Sequence, residues 1–214
     1  PEFCKQIYAN GIGSIVTQSL YTIYIVGLNM VLKSFTEDAV TVLGIYYKIQ
    51  SFFFIPLLGF QQVLLPLFSY HYGAGDRNRN RDILKCSMIF SVAIMAVATG
   101  IFFLFPEKLI QIFSTGSSIV AIGKYAFPVI SISFVFAGLT IVITSYLQGI
   151  AHIKSSLFII VLRQIVLLVP LAWVFHFIGL NAVWWTFPVT EIIASTTGIL
   201  IIMILHKQDS ELRI

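Results

Sequence analysis

Charge is what this chain lacks most. Only 10% of its 214 residues are Asp, Glu, Lys or Arg, whereas 58% are hydrophobic. Soluble domains carry roughly 25% charge, so most of this surface must face lipid. Cysteine is nearly missing too: Cys4 and Cys86 both fall near the side expected to be cytoplasmic, which argues against a disulfide framework. Thirteen basic residues exceed nine acidic ones, but the excess gathers near segment ends, so membrane topology explains it without a nucleic-acid partner. There is no Walker motif, hence no ATP hydrolysis by the chain itself. His71, His152, His176 and His206 lack metal-ligand spacing, so no metal site is expected. Gly11-Ile12-Gly13-Ser14 lies in an apolar helix with no suitable base nearby. These absences speak against an enzyme and against a bound cofactor.

What the chain has is long apolar runs. A span needs about 20 apolar residues to cross a hydrocarbon core of roughly 30 Å. Six stretches qualify: 7–32, 39–70, 84–105, 122–148, 156–178 and 181–205. The expected fold is an all-α membrane protein in which residues 1–214 form a single six-helix unit with no soluble domain. Lys5, Arg77, Arg79, Arg81, Lys85, Lys154, Lys207 and Arg213 fall on one side, against Lys33, Lys108 and Lys124 on the other. The positive-inside rule then places both chain ends and the 71–83 loop in the cytoplasm of a cell whose inner or plasma membrane holds the protein. Trp173, Trp184 and Trp185 read as an outer aromatic belt, and Leu109, Ile110, Ile112 and Phe113 as the lipid side of a short interfacial helix. The chain opens at Pro1 without an initiator Met or a signal peptide, which reads as a part of a longer protein.

The stretch from Ile45 to Lys85 is the most informative. Its apolar run is interrupted by Pro56, Gly59, Gln61-Gln62 and Pro66, then enters Gly73-Ala74-Gly75 and a cluster of arginines. A plain anchor needs neither the amides nor the breaks, and both cost stability in lipid. A helix that lines a cavity and bends can use both, which points to a transporter. Pro56, Gly59, Pro66 and, in the fourth span, Pro128 are expected bending or packing points. Polar residues recur at helical spacing: Gln18, Tyr21 and Asn29 in the first span; Tyr46, Gln50, Phe53 and Gln61 in the second. The mixture of amides and aromatics predicts a cavity for large amphiphilic ligands. Stripes of Ser133, Ala137, Thr140, Thr144 and Gln148 in span four, and of Trp184, Pro188, Glu191, Ser195 and Gly198 in span six, fit helix packing equally well.

Lys48, Arg163 and Glu191 are the ionisable residues within spans, and each needs a partner, water or a snorkelling route. Lys48 and Arg163 lie near enough to opposite membrane surfaces to reach them. Glu191 is deepest, and reads either as a proton or cation site or as a buried carboxyl that is neutral or paired with a basic residue.

Three blocks, in this order, resemble the multidrug and toxic compound extrusion (MATE) family over essentially the whole chain. The first holds Gly44, Gln50-Ser51-Phe52, Pro56-Leu57-Leu58-Gly59, Gln61-Gln62, Pro66, Ser69-Tyr70 and Tyr72-Gly73-Ala74. The second is Tyr146-Leu147-Gln148-Gly149, Arg163-Gln164 and Pro170-Leu171; the third runs from Gly179-Leu180-Asn181-Ala182-Val183-Trp184 to Pro188 and Glu191. The resemblance is to the family's C-terminal half. It implies one six-helix lobe of a twelve-helix, two-lobe transporter that exports cationic and amphiphilic compounds in exchange for H+ or Na+, with an N-terminal lobe as partner. Spans one and four contain no Asp or Glu, where some relatives hold a cation, so the coupling carboxylate is expected in the missing lobe, with Glu191 as the other candidate. Gly13 stands where many relatives have proline. A lipid-linked oligosaccharide flippase and a six-span permease or scaffold subunit working with a separate partner are the competing readings.

Overall fold

A computed structural model describes residues 19–211, with side chains through Lys207. Its helices are α1 (Ser19–Lys33), α2 (Glu37–Gly73), α3 (Arg77–Leu104), α4 (Pro106–Gln111), α5 (Ser117–Gly149), α6 (Ile153–Val161), α7 (Leu168–His176), α8 (Leu180–Val183) and α9 (Thr186–Glu211). A π-helical turn, Leu162–Leu167, joins α6 to α7 without a break. The described residues contain no β-strand. Five stretches are long and apolar enough to cross a membrane: α2, α3, α5, the α6–α7 unit and the α8–α9 unit. With the shorter apolar helix α1 (Ser19–Lys33) beside them, the architecture is an all-α, membrane-embedded six-helix lobe.

Local chemistry sets the boundaries. Thr36 caps α2 by accepting from the Ala39 amide at 3.1 Å, with Glu37 and Asp38 in the first turn, where acidic groups complement the helix dipole. At the far end Gly75 takes φ +74° and the Asp76 amide donates back to the His71 carbonyl at 3.0 Å, the closure that glycine permits after a helix. Asp76 then caps α3 by accepting from the Arg79 amide at 3.0 Å. The polar loop 74–76 thus ends one helix and starts the next.

α2 runs unbroken through Pro56 and Pro66. At ~1.5 Å per residue it is ~55 Å long, so it tilts or projects beyond the hydrocarbon core. Added bulk at Gly59 would meet nothing within 4 Å, so this glycine serves no close packing in the lobe. Pro128 is also carried inside a continuous helix, α5. The widened turn ends three residues before Pro170, which has no N–H to bond the Val166 carbonyl.

α5 is the central strut: 67% of its most apolar window is buried, against 17% for α2. Small residues let its neighbours approach. A Cβ on Gly138 would fall 2.6 Å from Ser91 Oγ and 2.9 Å from Met95 Cγ of α3, and one on Gly149 would fall 2.5 Å from Phe68 Cβ of α2. Such contacts replace the hydrophobic drive that lipid removes between helices. One buried cluster centres on Tyr46, Phe102, Phe127 and Phe134; the other holds Phe68, Val142, Tyr146 and Ile159. Phe52, Ile89, Val97 and Leu200 face outward, as a lipid-facing surface requires.

Two expected surface features turn inward. Trp184 is fully buried, so it belongs to the core and not to an aromatic belt. The short α8 delivers it there, whereas Trp173 and Trp185 stay exposed and Trp185 Nε1 donates to Tyr125 Oη at 3.3 Å. In α4, Ile110 is fully buried and Leu109 packs on the core, while Ile112 and Phe113, just past the helix end, are exposed. A six-residue helix has too few turns to keep four apolar side chains on one face.

Candidate functional site

The middle of the bundle holds a cavity of about 500 Å³ between α1, α2, α5 and the π-helical turn. Its floor is polar without net charge. α2 supplies Gln50, Gln61 and Gln62, and α5 supplies Thr140 and Thr144. Its wall is aromatic: Tyr21 and Tyr24 from α1, Tyr47 and Phe54 from α2. Tyr21 and Tyr24 meet edge-on at 5.1 Å. Tyr21, Ser51, Leu58 and Gln62 are exposed, so the cavity opens sideways on the face shared by α1 and α2.

Helix geometry explains this division. Gln50, Phe54, Leu58, Gln61 and Gln62 follow a three-to-four residue spacing along α2, and so do Tyr21 and Tyr24 on α1. Thr140 and Thr144 turn their hydroxyls back to carbonyls of their own helix, Phe136 at 2.9 Å and Thr140 at 2.9 Å. Each threonine thereby satisfies its donor while leaving a small polar surface toward the cavity.

Arg163 closes one side. Its Nη1 lies 3.4 Å from both carboxylate oxygens of Glu191 on α9. Arg163 therefore turns into the bundle instead of reaching the membrane surface, and Glu191 faces it as a paired carboxyl. The pair is largely buried, with side chains 25% and 12% exposed. Beside it a smaller cavity of about 50 Å³ is walled by Tyr24, Tyr46, Gln50, Ser133 and Gln164. The Gln164 Oε1 is buried there with no hydrogen-bond partner among the described residues. Lys48 is exposed and sets its Nζ 5.9 Å over the Phe113 ring.

The expected cavity residues separate into groups. Tyr21, Gln50 and Gln61 come together around the larger cavity. Tyr46 reaches only the smaller one, from within a buried aromatic cluster that includes Phe134 at 6.2 Å and Phe187 at 5.6 Å. Phe53 packs on Phe102 at 5.5 Å, and Asn29 lines neither cavity. Gln18 lies outside the described residues. Tyr24, Tyr47 and Phe54 belong to the wall although the polar pattern did not single them out. The three-residue step from Tyr21 to Tyr24 was the signal available for the first of them.

No group of three His, Cys, Asp or Glu side chains gathers among the described residues. His206 bonds the Tyr146 hydroxyl at 2.9 Å, and His176 lies 3.2 Å from the Ser34 hydroxyl.

A family model described as MatE matches residues 14–174. Among curated proteins, the multidrug export protein MepA of Staphylococcus saprophyticus is 24% identical over 208 residues, covering 97% of this chain and 46% of that protein. MepA of Staphylococcus aureus strain NCTC 8325 is 22% identical over 207 residues, with the same shares. The chain thus spans about half the length of the curated relatives it matches. Solved structures share the fold. An outward-facing multidrug resistance MATE family transporter of the MOP superfamily superposes with a TM-score of 0.86 at 21% identity, over 94% of this chain and 46% of its own. The Vibrio cholerae MATE transporter VcmN in its bent form gives 0.84 at 19% identity, over 92% and 46%. A MOP superfamily transporter from Pyrococcus furiosus, whose reversed pocket polarity suggests a different function for it, gives 0.85 at 21% identity, over 94% and 46%.

Proposed function

The chain belongs to the MatE family, and from that premise we propose that it is the C-terminal lobe of a secondary antiporter that exports cationic and amphiphilic compounds. The observation that carries this reading is the sideways-open cavity of amides, threonine hydroxyls and tyrosine rings. Rings bind flat cationic ligands through their π faces, and neutral amides orient them without a fixed counter-charge. Tyr21, Gln50 and Gln61 are the substrate contacts in this proposal, joined by Tyr24 and Tyr47. An N-terminal lobe of the same protein completes the cleft on the exposed α1–α2 face, because alternating access by paired repeats needs both halves.

The coupling ion is H+ or Na+. The Arg163 guanidinium beside Glu191 already neutralises that carboxylate, so a metal cation is poorly accommodated there, and the coupling carboxylate is assigned to the other lobe. The same pairing lowers the cationic character of the cavity, which disfavours a pyrophosphate-carrying lipid as substrate. In this reading both chain ends and the α2–α3 loop lie on the cytoplasmic side of the plasma membrane, which the arginines after Gly75 support.

Replacing Gln50 and Gln61 together by Ala in the natural protein tests the site. Efflux of a cationic fluorescent dye is expected to fall several-fold at unchanged expression. Undiminished efflux would remove these residues from the cavity's function.

A further inference from the structure

The two cavities beside the Arg163–Glu191 pair, of about 500 and 50 Å³, share a wall made of Tyr24, Tyr47, Gln50, Phe54, Arg163 and Gln164. Gln164 stands in this wall with its hydrogen bonding incomplete. It lies in the π-helical turn, is 7% exposed, and its Oε1 has no hydrogen-bond partner among the described residues. A buried acceptor left unpaired forfeits its hydration with nothing in return, so this oxygen calls for a donor. Arg163, its neighbour in the chain, turns its guanidinium to Glu191 at 3.4 Å instead. The torsion that ends a glutamine side chain is soft, so Oε1 can swing to meet a ligand in either cavity.

The facing side of α5 adds acceptors to this oxygen. Ser133 donates to the Ile130 carbonyl at 2.6 Å, Thr140 to Phe136 at 2.9 Å and Thr144 to Thr140 at 2.9 Å. A hydroxyl has a single proton, so these side chains keep only lone pairs for a ligand. Ser133 lines the smaller cavity, and Thr140 and Thr144 line the larger. Acceptor oxygens beside the rings of Tyr24, Tyr47 and Phe54 suit a planar cation that brings its own N–H groups. The rings attract the charge, and the oxygens take the N–H in charge-assisted hydrogen bonds. Water serves as the donor between substrates. A cation with N–H replaces that water, whereas a fully N-alkylated one leaves Oε1 unpaired beneath it.

We propose that Gln164 sets the substrate preference of this site: its Oε1 accepts a hydrogen bond from the N–H of a planar organic cation, so such cations are selected over their N-alkylated counterparts. This assignment rests on the export reading and narrows its substrate class.

Fluorescence anisotropy on the natural protein in detergent tests it with two dyes. One is the unmethylated rhodamine methyl ester, a planar cation with free amino groups. The other is tetramethylrhodamine methyl ester, the same cation with every amino hydrogen replaced by methyl. The parent should bind the amino dye more tightly, although the added methyls favour the other dye through apolar burial. Gln164→Met keeps the side-chain volume and removes the acceptor, and should weaken the amino dye roughly tenfold relative to the methylated one. Gln164→Glu keeps an acceptor oxygen and should keep the preference, which separates loss of the acceptor from loss of fold. A parent that favours the methylated dye, or an unchanged ratio of the two dissociation constants in Gln164→Met, would overturn the assignment and leave the export reading standing. Failure of the parent to bind either dye would overturn both.

Discussion

Arg163 and Glu191 form the deepest charged pair described in the lobe, and their energetics are asymmetric. Bringing both into the bundle costs desolvation that their attraction only partly offsets, whereas deleting one leaves the other buried alone. Glu191→Gln is therefore expected to destabilise the natural protein by about 3–5 kcal/mol, read as a lower melting temperature in detergent. The exchanged pair, Arg163→Glu with Glu191→Arg, should recover a large part of that loss. It should also recover dye efflux, because the carboxylate is assigned a pairing role and not an ion-coupling one. Recovered stability without recovered efflux would return Glu191 to the coupling mechanism. Single residues also show where periodicity misleads. Phe53 sits on the same nominal stripe as Gln50 and Gln61, yet it faces Phe102. Over a long helix a spacing of three or four residues drifts relative to 3.6 per turn, so one stripe crosses from cavity to core.

At the scale of an element, the π-helical turn is the departure from regular α-helix that shapes the site. Its wider turn precedes Pro170 and places Arg163 and Gln164 side by side at the cavity. Pro170→Ala restores the missing amide, so the turn can close to α-helix and rotate Arg163 away from Glu191. The expected result is several-fold lower efflux at unchanged expression, while the same efflux as the parent would show that the turn's shape is not set by the proline. Packing makes a second element-level prediction. Gly138→Leu drives side-chain atoms into Ser91 and Met95 and should cost about 1–3 kcal/mol through overpacking, whereas Gly59→Ala meets open space and should be neutral or slightly stabilising, by about 0.5–1 kcal/mol. Melting temperatures of the two variants distinguish them. A parallel loss in both would mean that the α2 face is covered by something other than lipid.

For the whole molecule, the decisive geometry is the side opening of the cavity. A six-helix lobe of 24.0 kDa leaves Tyr21, Ser51 and Gln62 on an open face. Polar and aromatic groups placed together on a lipid-exposed surface are costly, and a second lobe would cover them. The intact mass of the natural protein in detergent should accordingly be about twice 24.0 kDa. Residues 1–214 produced alone should show no dye transport in vesicles. Transport by the isolated chain would remove the need for a second lobe.

Membrane embedding and the all-helical lobe were legible in the sequence, because lipid forces backbone self-satisfaction and imposes span length on every segment alike. The loop expected at 71–83 shrinks to 74–76 in the structure, because α2 runs to Gly73 and Asp76 caps α3 from Arg77 onward. Which face of each helix is buried depends on what packs against it. The fully buried Trp184, Ile110 turned onto the core, Phe53 on Phe102 and the carboxylate of Glu191 against Arg163 each depend on a neighbour distant in the chain or on the angle at which a short helix enters the core. In lipid both faces of a helix are apolar, so hydrophobic patterning carries little information about the interior, and only the packed tertiary structure decided it.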